Sequence, residues 1–360
     1  MRRKRLSRRE FIRNNAAAVG CVAAGLGGNF LATAADEKAV GKTRSYNPDM
    51  EYRRLGRTGL WVSAVCLGGH FKRVGEKIGY QVSATDAPAD KAAAEAFWKN
   101  RRDVLARCME LGINYVDACT KGEISVYGPA LKGRRDEMYM GFAMWPECPR
   151  DAKYCNAEML LKTLEEGMKL AQVDCVDVWR LVASTPGEHS PADEEEFIKA
   201  FVKAKEQGKV RFTGVSSHGP KWLQRLAETY PEHFQVLLFP YTSNTKELPK
   251  DSLFDTVRKH DIGTFGIKPF AGNSLFEGAK DDEEKNERAR MTIRHILGNP
   301  AITAPIPGLA CVEEVDNMAK AVKERRTLEL AEATELHRVN EKMWANLPPE
   351  YEWLRDWEYV

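Results

Sequence analysis

The chain has 360 residues, 43% of them hydrophobic and 29% charged, which is ordinary globular composition with room for one large α/β domain or two smaller ones. Its formal net charge is +2, but residues 1–34 carry seven Lys or Arg and one Glu, so the remainder has a net charge of −4. No basic stripe with interleaved aromatic residues survives in that remainder, which argues against nucleic acid as a partner.

The first 34 residues form a segment of their own. MRRKRLSRREFIRNN is densely basic, and a weakly apolar Ala/Gly run follows and ends in Ala32-Thr33-Ala34. This order predicts an export signal cleaved after Ala34, and SRREFI (7–12) resembles the twin-arginine signal. The expected partner is then the twin-arginine export machinery, the expected location is the periplasm or another exported compartment, and no stable membrane span remains after cleavage. A retained basic anchor and lipidation at Cys21 are the alternatives.

Seven cysteines follow the predicted signal, and no C-x-x-C pair occurs anywhere in the chain. The sequence therefore predicts no zinc or iron–sulfur site. Cys66 and Cys175 lie inside apolar runs and are expected to be buried free thiols. In an oxidising compartment Cys148 and Cys155 are close enough in sequence to form a disulfide.

From residue 51 onward, short apolar runs typical of strands alternate with amphipathic stretches typical of helices. Helical patterns include KNRRDVLARCMELG (99–112) and VEEVDNMAKAVKER (312–325). Eight strands are predicted: VSAVCLGG (62–69), INYVDAC (113–119), EMYMGFAM (137–144), CVDVWRLVA (175–183), VRFTGVSS (210–217), FQVLLFPYT (234–242), IGTFGIKPF (262–270) and ITAPIPGL (302–309).

Continuous apolar strands that alternate with helices predict parallel strands joined by right-handed crossovers. Eight such units fit a closed (β/α)₈ TIM barrel over residues 51–327, whereas a doubly wound sheet lacks support because no G-x-G-x-x-G turn follows the first strand. We expect an N-terminal hairpin at 51–63, a linker at 35–50 and a long loop after the first strand. A helical C-terminal extension at 328–360 is expected either to pack outside the barrel or to cover its mouth.

These elements resemble the aldo/keto reductase family over residues 51–325. The matching segments are YRRLGRTGLWVSAVCLGG (52–69), ELGINYVDA (110–118), ALKGRRDEMYM (130–140), VDVWRL (176–181), GKVRFTGVSSH (208–218), GIKPFAG (266–272) and ITAPIPGLACVEEVDN (302–317). The resemblance implies a barrel that holds a nicotinamide cofactor across its C-terminal mouth and transfers hydride to or from a small-molecule carbonyl or alcohol.

The family's proton relay is matched only in part. It consists of a Tyr proton donor, a Lys and an Asp that tune the Tyr, and a His that orients substrate. Asp117 matches the family Asp, but the Tyr position falls on Gly122, the Lys on Ala143 or Met144, and the His on Val182. The resemblance thus implies a relay that is absent or rebuilt.

Asp117, Tyr127 and Lys268 are the predicted catalytic residues. Tyr127-Gly128 copies a family dipeptide, but ungapped alignment places it on the next helix, where an aromatic residue is more often part of the core. Lys268 and Asp117 stand at strand ends, and two interpretations are weighed equally: a structural ion pair across the barrel, or a catalytic role. Further polar candidates at strand ends are His70, Cys119, Lys121, Arg180, His218 and Tyr241.

The cofactor is predicted to be NAD or NADP. Its predicted ligands are Gly69, Ser216, Ser217, Tyr241, Gly272, Ser274, Gly308 and Asn317. The family's Arg for the 2′-phosphate falls on Glu314, and because a carboxylate repels a phosphate, NAD is slightly favoured.

Two functions remain open from the sequence. The first is an exported oxidoreductase of the aldo/keto reductase class with a non-standard relay. The second is a catalytically silent barrel that binds a small molecule, such as a sugar, or a protein partner at its mouth.

Overall fold

The computed structural model describes residues 34–183 and 189–360. The predicted signal and Cys21 therefore lie outside the described residues. The strands are β1 (Tyr52–Arg54), β2 (Trp61–Ser63), β3 (Tyr115–Thr120), β4 (Tyr139–Trp145), β5 (Val176–Val182), β6 (Val210–Ser216), β7 (Val236–Pro240), β8 (Gly263–Ile267) and β9 (Ala304–Ile306). The helices are α1 (Ala34–Val40), α2 (Val74–Ile78), α3 (Lys91–Glu110), α4 (Lys121–Ala130), α5 (Ala157–Ala171), α6 (Pro191–Glu206), α7 (Pro220–Thr229), α8 (Leu253–His260), α9 (Asp282–Leu297), α10 (Val312–Lys323) and α11 (Leu330–Ala345).

Strands β3 to β9 form one parallel sheet in consecutive order, and a short eighth segment closes it into a barrel. Leu67 bridges to Val116 on one side, and Gly68 bridges to Gly308 on the other. The predicted strand 62–69 is thus divided: its start belongs to β2 of the hairpin, and its end is the closing segment. The predicted parallel α/β barrel with an N-terminal hairpin is confirmed.

Two apolar cores hold the barrel together. The inner one fills the barrel, with Tyr115, Val178, Leu238 and Phe265 buried from the strands, and the hairpin contributes Leu55 among others from below. The larger outer core packs the helices against the sheet. Because side chains fill the lower interior, a ligand that enters the barrel would do so at the opposite end, where the strands terminate at their carboxyl ends.

Both ends of the described chain pack against the barrel. In the predicted linker, Arg44 pairs with Asp177 of β5 at 3.1 Å below the barrel. At the other end, residues Pro349–Trp357 form a 3₁₀ segment that lies over the mouth, with Trp357 fully buried. The C-terminal extension therefore covers the site as well as packing beside it.

No helix among residues 34–183 and 189–360 combines the length and the hydrophobicity that crossing a bilayer requires.

Candidate active site

A cavity of about 320 Å³ opens at the carboxyl ends of the barrel strands. This is the end at which barrel enzymes of this architecture place their chemistry, because loops after every strand converge there. Side chains from the loop after the closing segment, from β3, β5, β6 and β8, and from the C-terminal 3₁₀ segment contribute to its wall. The ionisable ones are His70, Lys72, Arg73, Asp117, Cys119, Glu123, Arg150, Arg180, His218, Lys268 and Tyr351.

Asp117 and Arg180 form a two-pronged ion pair at the base of the cavity. Arg180 donates from Nε to Oδ1 at 2.9 Å and from Nη2 to Oδ2 at 2.7 Å, and both side chains are almost fully buried. Burial alone would lower the pKa of Arg180, but the Asp117 carboxylate outweighs it and raises that pKa. A pair between Asp117 and Lys268 is therefore not formed: the partner of Asp117 is Arg180 of β5, two strands along in the barrel order.

His70 and Glu123 form a second pair on the cavity wall. His70 Nδ1 lies 2.6 Å from Glu123 Oε1, and the carboxylate is only 2% exposed. The other carboxylate oxygen accepts the backbone N–H groups of Cys119 at 2.6 Å and Thr120 at 3.1 Å. Because Nδ1 is engaged with a fixed carboxylate, Nε2 is the ring nitrogen left to meet a ligand.

Glu123 is held in place by the start of helix α4. Thr120 and Glu123 form a reciprocal capping box, so the helix begins directly after β3 with no intervening loop. The family Tyr position, Gly122, lies in the first turn, where an added Cβ would overlap Thr85 and Asp86 of the loop after the closing segment. A side chain at position 122 therefore has no room.

Tyr127 lies on α4 and is not brought to the cavity. It is fully buried in the outer core, its ring packs edge-on against Phe71 at 5.8 Å, and its hydroxyl makes no hydrogen bond within the described residues. Burial raises its pKa to about 12. This is the opposite of the shift that a tyrosine proton donor needs.

Lys268 does reach the cavity, in an unusual backbone conformation. Its φ of 57° lies in the left-handed region, which non-glycine residues seldom adopt. The ammonium group stands 5.5 Å from the ring centroid of Tyr351, so the C-terminal segment contacts it by a cation–π interaction. Among the described residues, Lys268 has no carboxylate partner.

His218, Trp353 and Trp357 link the C-terminal segment to the loop after β6. The Trp353 and His218 rings stack with centroids 3.6 Å apart, and Trp357 Nε1 donates to the His218 carbonyl at 2.9 Å. The His218 Nδ1 atom is buried without a hydrogen-bond partner among the described residues. Burial, with the charges of Arg150 and Lys268, lowers the His218 pKa to about 3, so the ring is neutral at physiological pH.

The predicted cofactor ligands divide into two sets. Four line the cavity: Gly69, Ser216, Gly272 and Gly308. The other four do not: Ser217 accepts from the Gly219 N–H, Tyr241 accepts from Asn299, Asn317 accepts from Arg290, and Ser274 is buried within the 3₁₀ segment Ala271–Phe276.

Glu314 is not available to repel a phosphate. Arg73 donates from Nη2 to Glu314 Oε2 at 2.8 Å and from Nη1 to the other oxygen, while the Ala310 N–H donates to Oε2 at 2.8 Å. The charge of Glu314 is thus compensated by a guanidinium group. The electrostatic argument for NAD over NADP loses its basis.

The seven described cysteines are free thiols, so the Cys148–Cys155 disulfide is not formed. Cys155 instead donates to the Pro149 carbonyl at 3.4 Å and lies 3.8 Å from His189 Nδ1. With Asp193 these residues bring three potential metal ligands within 4.8 Å of one another. The Asp193 carboxylate already accepts two hydrogen bonds from Ser190 in a capping box, which explains its position without a metal.

The aldo/keto reductase family model matches residues 98–334. The chain belongs to the aldo/keto reductase family. That family consists of NAD(P)-linked oxidoreductases, and membership covers β3 to β9 together with most of the residues around the cavity.

Individual relatives agree with this assignment. L-galactose dehydrogenase of Arabidopsis thaliana is 23% identical over 314 residues, which span 79% of this chain and 92% of that protein. The aldo-keto reductase yakc [NADP(+)] of Schizosaccharomyces pombe is 25% identical over 174 residues, spanning 45% of this chain and 48% of that protein. An aldo/keto reductase of Klebsiella pneumoniae solved with NADP and acetate superposes with a TM-score of 0.60 at 18% identity, covering 81% of this chain and 95% of that one.

The cavity of this aldo/keto reductase fits a nicotinamide cofactor in part. The Ser216 hydroxyl faces the cavity and makes no hydrogen bond within the described residues, so it is available to an amide-bearing ligand. Gly69 and Gly308 approach so closely that a Cβ on Gly69 would lie 2.5 Å from the Gly308 Cα atom. Glycine at both positions allows this close approach of the two backbone segments at the rim of the cavity.

Arg180, Glu123 and His70 are not among the three predicted catalytic residues, yet all of them line the cavity. The sequence shows His70 and Arg180 as polar residues at predicted strand ends. Their order along the chain does not show which carboxylate each of them binds. Glu123 does have a signal, because Thr120-Lys121-Gly122-Glu123 is a capping-box pattern that marks the start of a helix.

Proposed function

We propose that this protein is an exported, NADP-linked oxidoreductase in which the His70–Glu123 pair replaces the family's tyrosine as the proton relay. The observation that carries the proposal is the 2.6 Å contact between His70 Nδ1 and the buried Glu123 carboxylate on the cavity wall. A carboxylate that fixes one ring nitrogen of a histidine leaves the other poised to give or take a proton.

A bound nicotinamide would supply or accept the hydride. As the hydride reaches a carbonyl carbon, the C=O π bond breaks and its electron pair moves to oxygen. His70 Nε2–H gives its proton to that oxygen, so the product is an alcohol. In the reverse direction, Nε2 takes the alcohol proton. The His70 side chain is 28% exposed, so it can exchange its proton with water between turnovers.

Arg180 and Asp117 complete the site in different roles. Arg180 keeps its positive charge and borders the cavity, where it would stabilise negative charge developing on the substrate oxygen. Asp117 holds the guanidinium group by two hydrogen bonds and is a positioning residue. Ser216 would hold the nicotinamide carboxamide.

NADP is proposed over NAD on two grounds. The Klebsiella pneumoniae relative was solved with NADP, and the Schizosaccharomyces pombe relative carries NADP(+) in its name. In this chain Glu314 is paired with Arg73, so it does not repel a 2′-phosphate.

Export is proposed from the sequence alone, on the basic segment, the SRREFI pattern and the Ala32-Thr33-Ala34 site. The twin-arginine route carries folded proteins, which suits a protein that loads its cofactor in the cytoplasm. The test is N-terminal sequencing of the protein recovered from the periplasm. A mature chain beginning at Ala35 is expected, and a full-length chain confined to the cytoplasm would contradict export.

The relay is tested by turnover of NADPH with a panel of aldehydes, ketones and sugars. His70→Gln should lower kcat by about 10²-fold or more, the range of a lost general acid. Glu123→Gln, which keeps a capping side chain but removes the charge, should lower kcat less and shift the pH profile of kcat.

The matched control is His260→Gln. His260 Nε2 also pairs with a glutamate, Glu228 at 2.9 Å, but at the end of α8 far from the cavity, and its loss should leave kcat unchanged. Equal kcat for wild type and His70→Gln would exclude His70 as the proton donor. Absence of NADPH turnover with every carbonyl tested would favour the silent barrel that binds a small molecule or protein.

A further inference from the structure

The cavity wall carries more positive charge than its carboxylates neutralise. Its two carboxylates are both satisfied, since Asp117 is held by Arg180 and Glu123 by His70 and two backbone N–H groups. Outside the wall, Glu314 compensates Arg73. Three other cations on the wall have no carboxylate within 4 Å among the described residues: Lys72, Arg150 and Lys268.

Two of these cations share one wall with His218. Arg150, from the loop after β4, and Lys268, directly after β8, line the same cavity as His218, and their charges contribute to lowering the His218 pKa. Arg150 is oriented by donating from Nε to the Ala183 carbonyl at 2.9 Å, and its two terminal nitrogens make no hydrogen bond to the residues that the structure describes. Like charges brought together without a counter-ion repel one another, so the arrangement favours an anion between them.

The aromatic residues of the C-terminal segment hold this group in place. Tyr351 lies under the Lys268 ammonium and Trp353 stacks on His218. The buried His218 Nδ1 has no hydrogen-bond partner in the described part of the chain. A neutral imidazole can donate one hydrogen bond from this nitrogen to an anionic oxygen.

We infer that Arg150, Lys268 and His218 form an anion subsite for the acidic group of the substrate, a carboxylate or a phosphate on a small carbonyl or alcohol compound. Arginine binds such planar or tetrahedral oxyanions through paired N–H groups, and lysine adds a point charge. The inference rests on the proposed function for the reaction itself, but anion binding does not require it. A sugar acid or a sugar phosphate has the required chemistry, whereas a neutral sugar does not.

The test is calorimetric titration of the full-length protein with D-glucuronate, D-glucose 6-phosphate and D-glucose at constant ionic strength. At least one of the two acidic sugars should bind tenfold or more tightly than glucose. Arg150→Gln should abolish that difference, and Lys268→Met should reduce it. Arg134→Gln is the control, because Arg134 lies before β4 at the opposite end of the barrel and pairs with Glu137.

A parallel NADPH titration separates the substrate's anion from the cofactor's phosphates. Unchanged NADPH affinity in Arg150→Gln, with loss of acidic-sugar binding, supports the inference even if no turnover is found. Two outcomes would overturn it: equal binding of the acidic sugars and glucose, or an Arg150→Gln variant that loses NADPH and not the acidic sugar. Melting curves of each variant show whether a loss of binding comes from unfolding.

Discussion

The two side chains at the base of the cavity, Asp117 and Arg180, are bound to each other. The Asp117 carboxylate is fully engaged by Arg180, so it cannot also tune a tyrosine or a lysine. Asp117 was expected at a strand end, but it lies within β3, three residues before the strand ends, and lines the cavity from there. The sequence could not identify its partner, because Arg180 is 63 residues away and comes near only through the order of neighbouring strands.

The Asp117–Arg180 pair leads to a stability prediction. Asp117→Asn leaves Arg180 buried without a counter-charge, which should lower the free energy of unfolding by about 3–5 kcal/mol. Replacing both partners, Asp117→Asn with Arg180→Met, should recover much of that loss because no buried charge remains. Urea denaturation of the two variants measures both values.

Glu335→Gln serves as a control for this experiment, since Glu335 pairs with Arg338 on an exposed helix surface. Its removal should change the free energy of unfolding little. If Asp117→Asn proves as mild as this control, the cavity pair is not the buried interaction described.

Helix α4 decides what can stand at position 122, where the family resemblance places a tyrosine. It starts directly after β3, so the position that follows Asp117 by five residues lies in a helical turn packed under the loop at 85–86. The capping pattern that starts the helix is local and can be recognised in the sequence. The packing of the loop over Gly122 is not local, and it could not be predicted from the chain alone.

Restoring the family tyrosine at position 122 should therefore fail. Gly122→Tyr must displace Thr85 and Asp86, and we expect a loss of about 1–3 kcal/mol in the free energy of unfolding without any gain in NADPH turnover. Gly41→Ala, where an added Cβ meets only one atom at 3.5 Å, is the steric control. A stable Gly122→Tyr variant with higher turnover would contradict the packing described.

The C-terminal extension also combines a feature that the sequence predicts with contacts that the sequence does not predict. Its tryptophans predict a buried contact, either on the barrel exterior or over the mouth. The structure places Trp353 on His218 and Tyr351 on Lys268, two residues that follow different strands. Such contacts depend on the closed barrel, and no spacing within residues 328–360 encodes them.

At the lower end of the barrel, Asp177 on β5 binds arginines from three different parts of the chain. It accepts from Arg44 of the N-terminal arm, from Arg135 before β4 and from Arg211 of β6. Burial alone would raise the pKa of Asp177, but the three guanidinium groups hold it well below its usual range. Because the folded-state pKa is depressed, Asp177 stabilises the fold above its unfolded pKa of about 3.9, and this contribution is lost as the pH falls further.

Asp177→Asn should thus lower the free energy of unfolding at pH 7 by about 3 kcal/mol, with the gap to wild type closing below about pH 4. Urea denaturation from pH 7 to pH 3 measures this. Asp103→Asn, which removes an exposed pair with Lys99, should produce no pH-dependent gap of that kind. A constant difference between Asp177→Asn and wild type across the range would contradict the linkage.

The fold as a whole was predictable because alternating strand and helix patterns, repeated eight times, leave few topologies. For the site, only the location could be predicted, at the carboxyl ends of the strands. Gly69, Ser216, Lys268 and Gly308 do meet there, whereas Tyr127 and Asn317 lie elsewhere because helical packing, which the strand pattern does not describe, decides their surroundings.

Titration of the full-length protein with NADPH, followed by tryptophan fluorescence, tests the central claim most directly, since Trp145 lines the cavity. We predict saturable quenching with a Kd of roughly 1–100 μM, which corresponds to a binding free energy of about −8 to −5.5 kcal/mol. The affinity for NADH should be no greater. An unchanged spectrum up to millimolar NADPH would contradict the proposal that this barrel is a nicotinamide-dependent enzyme.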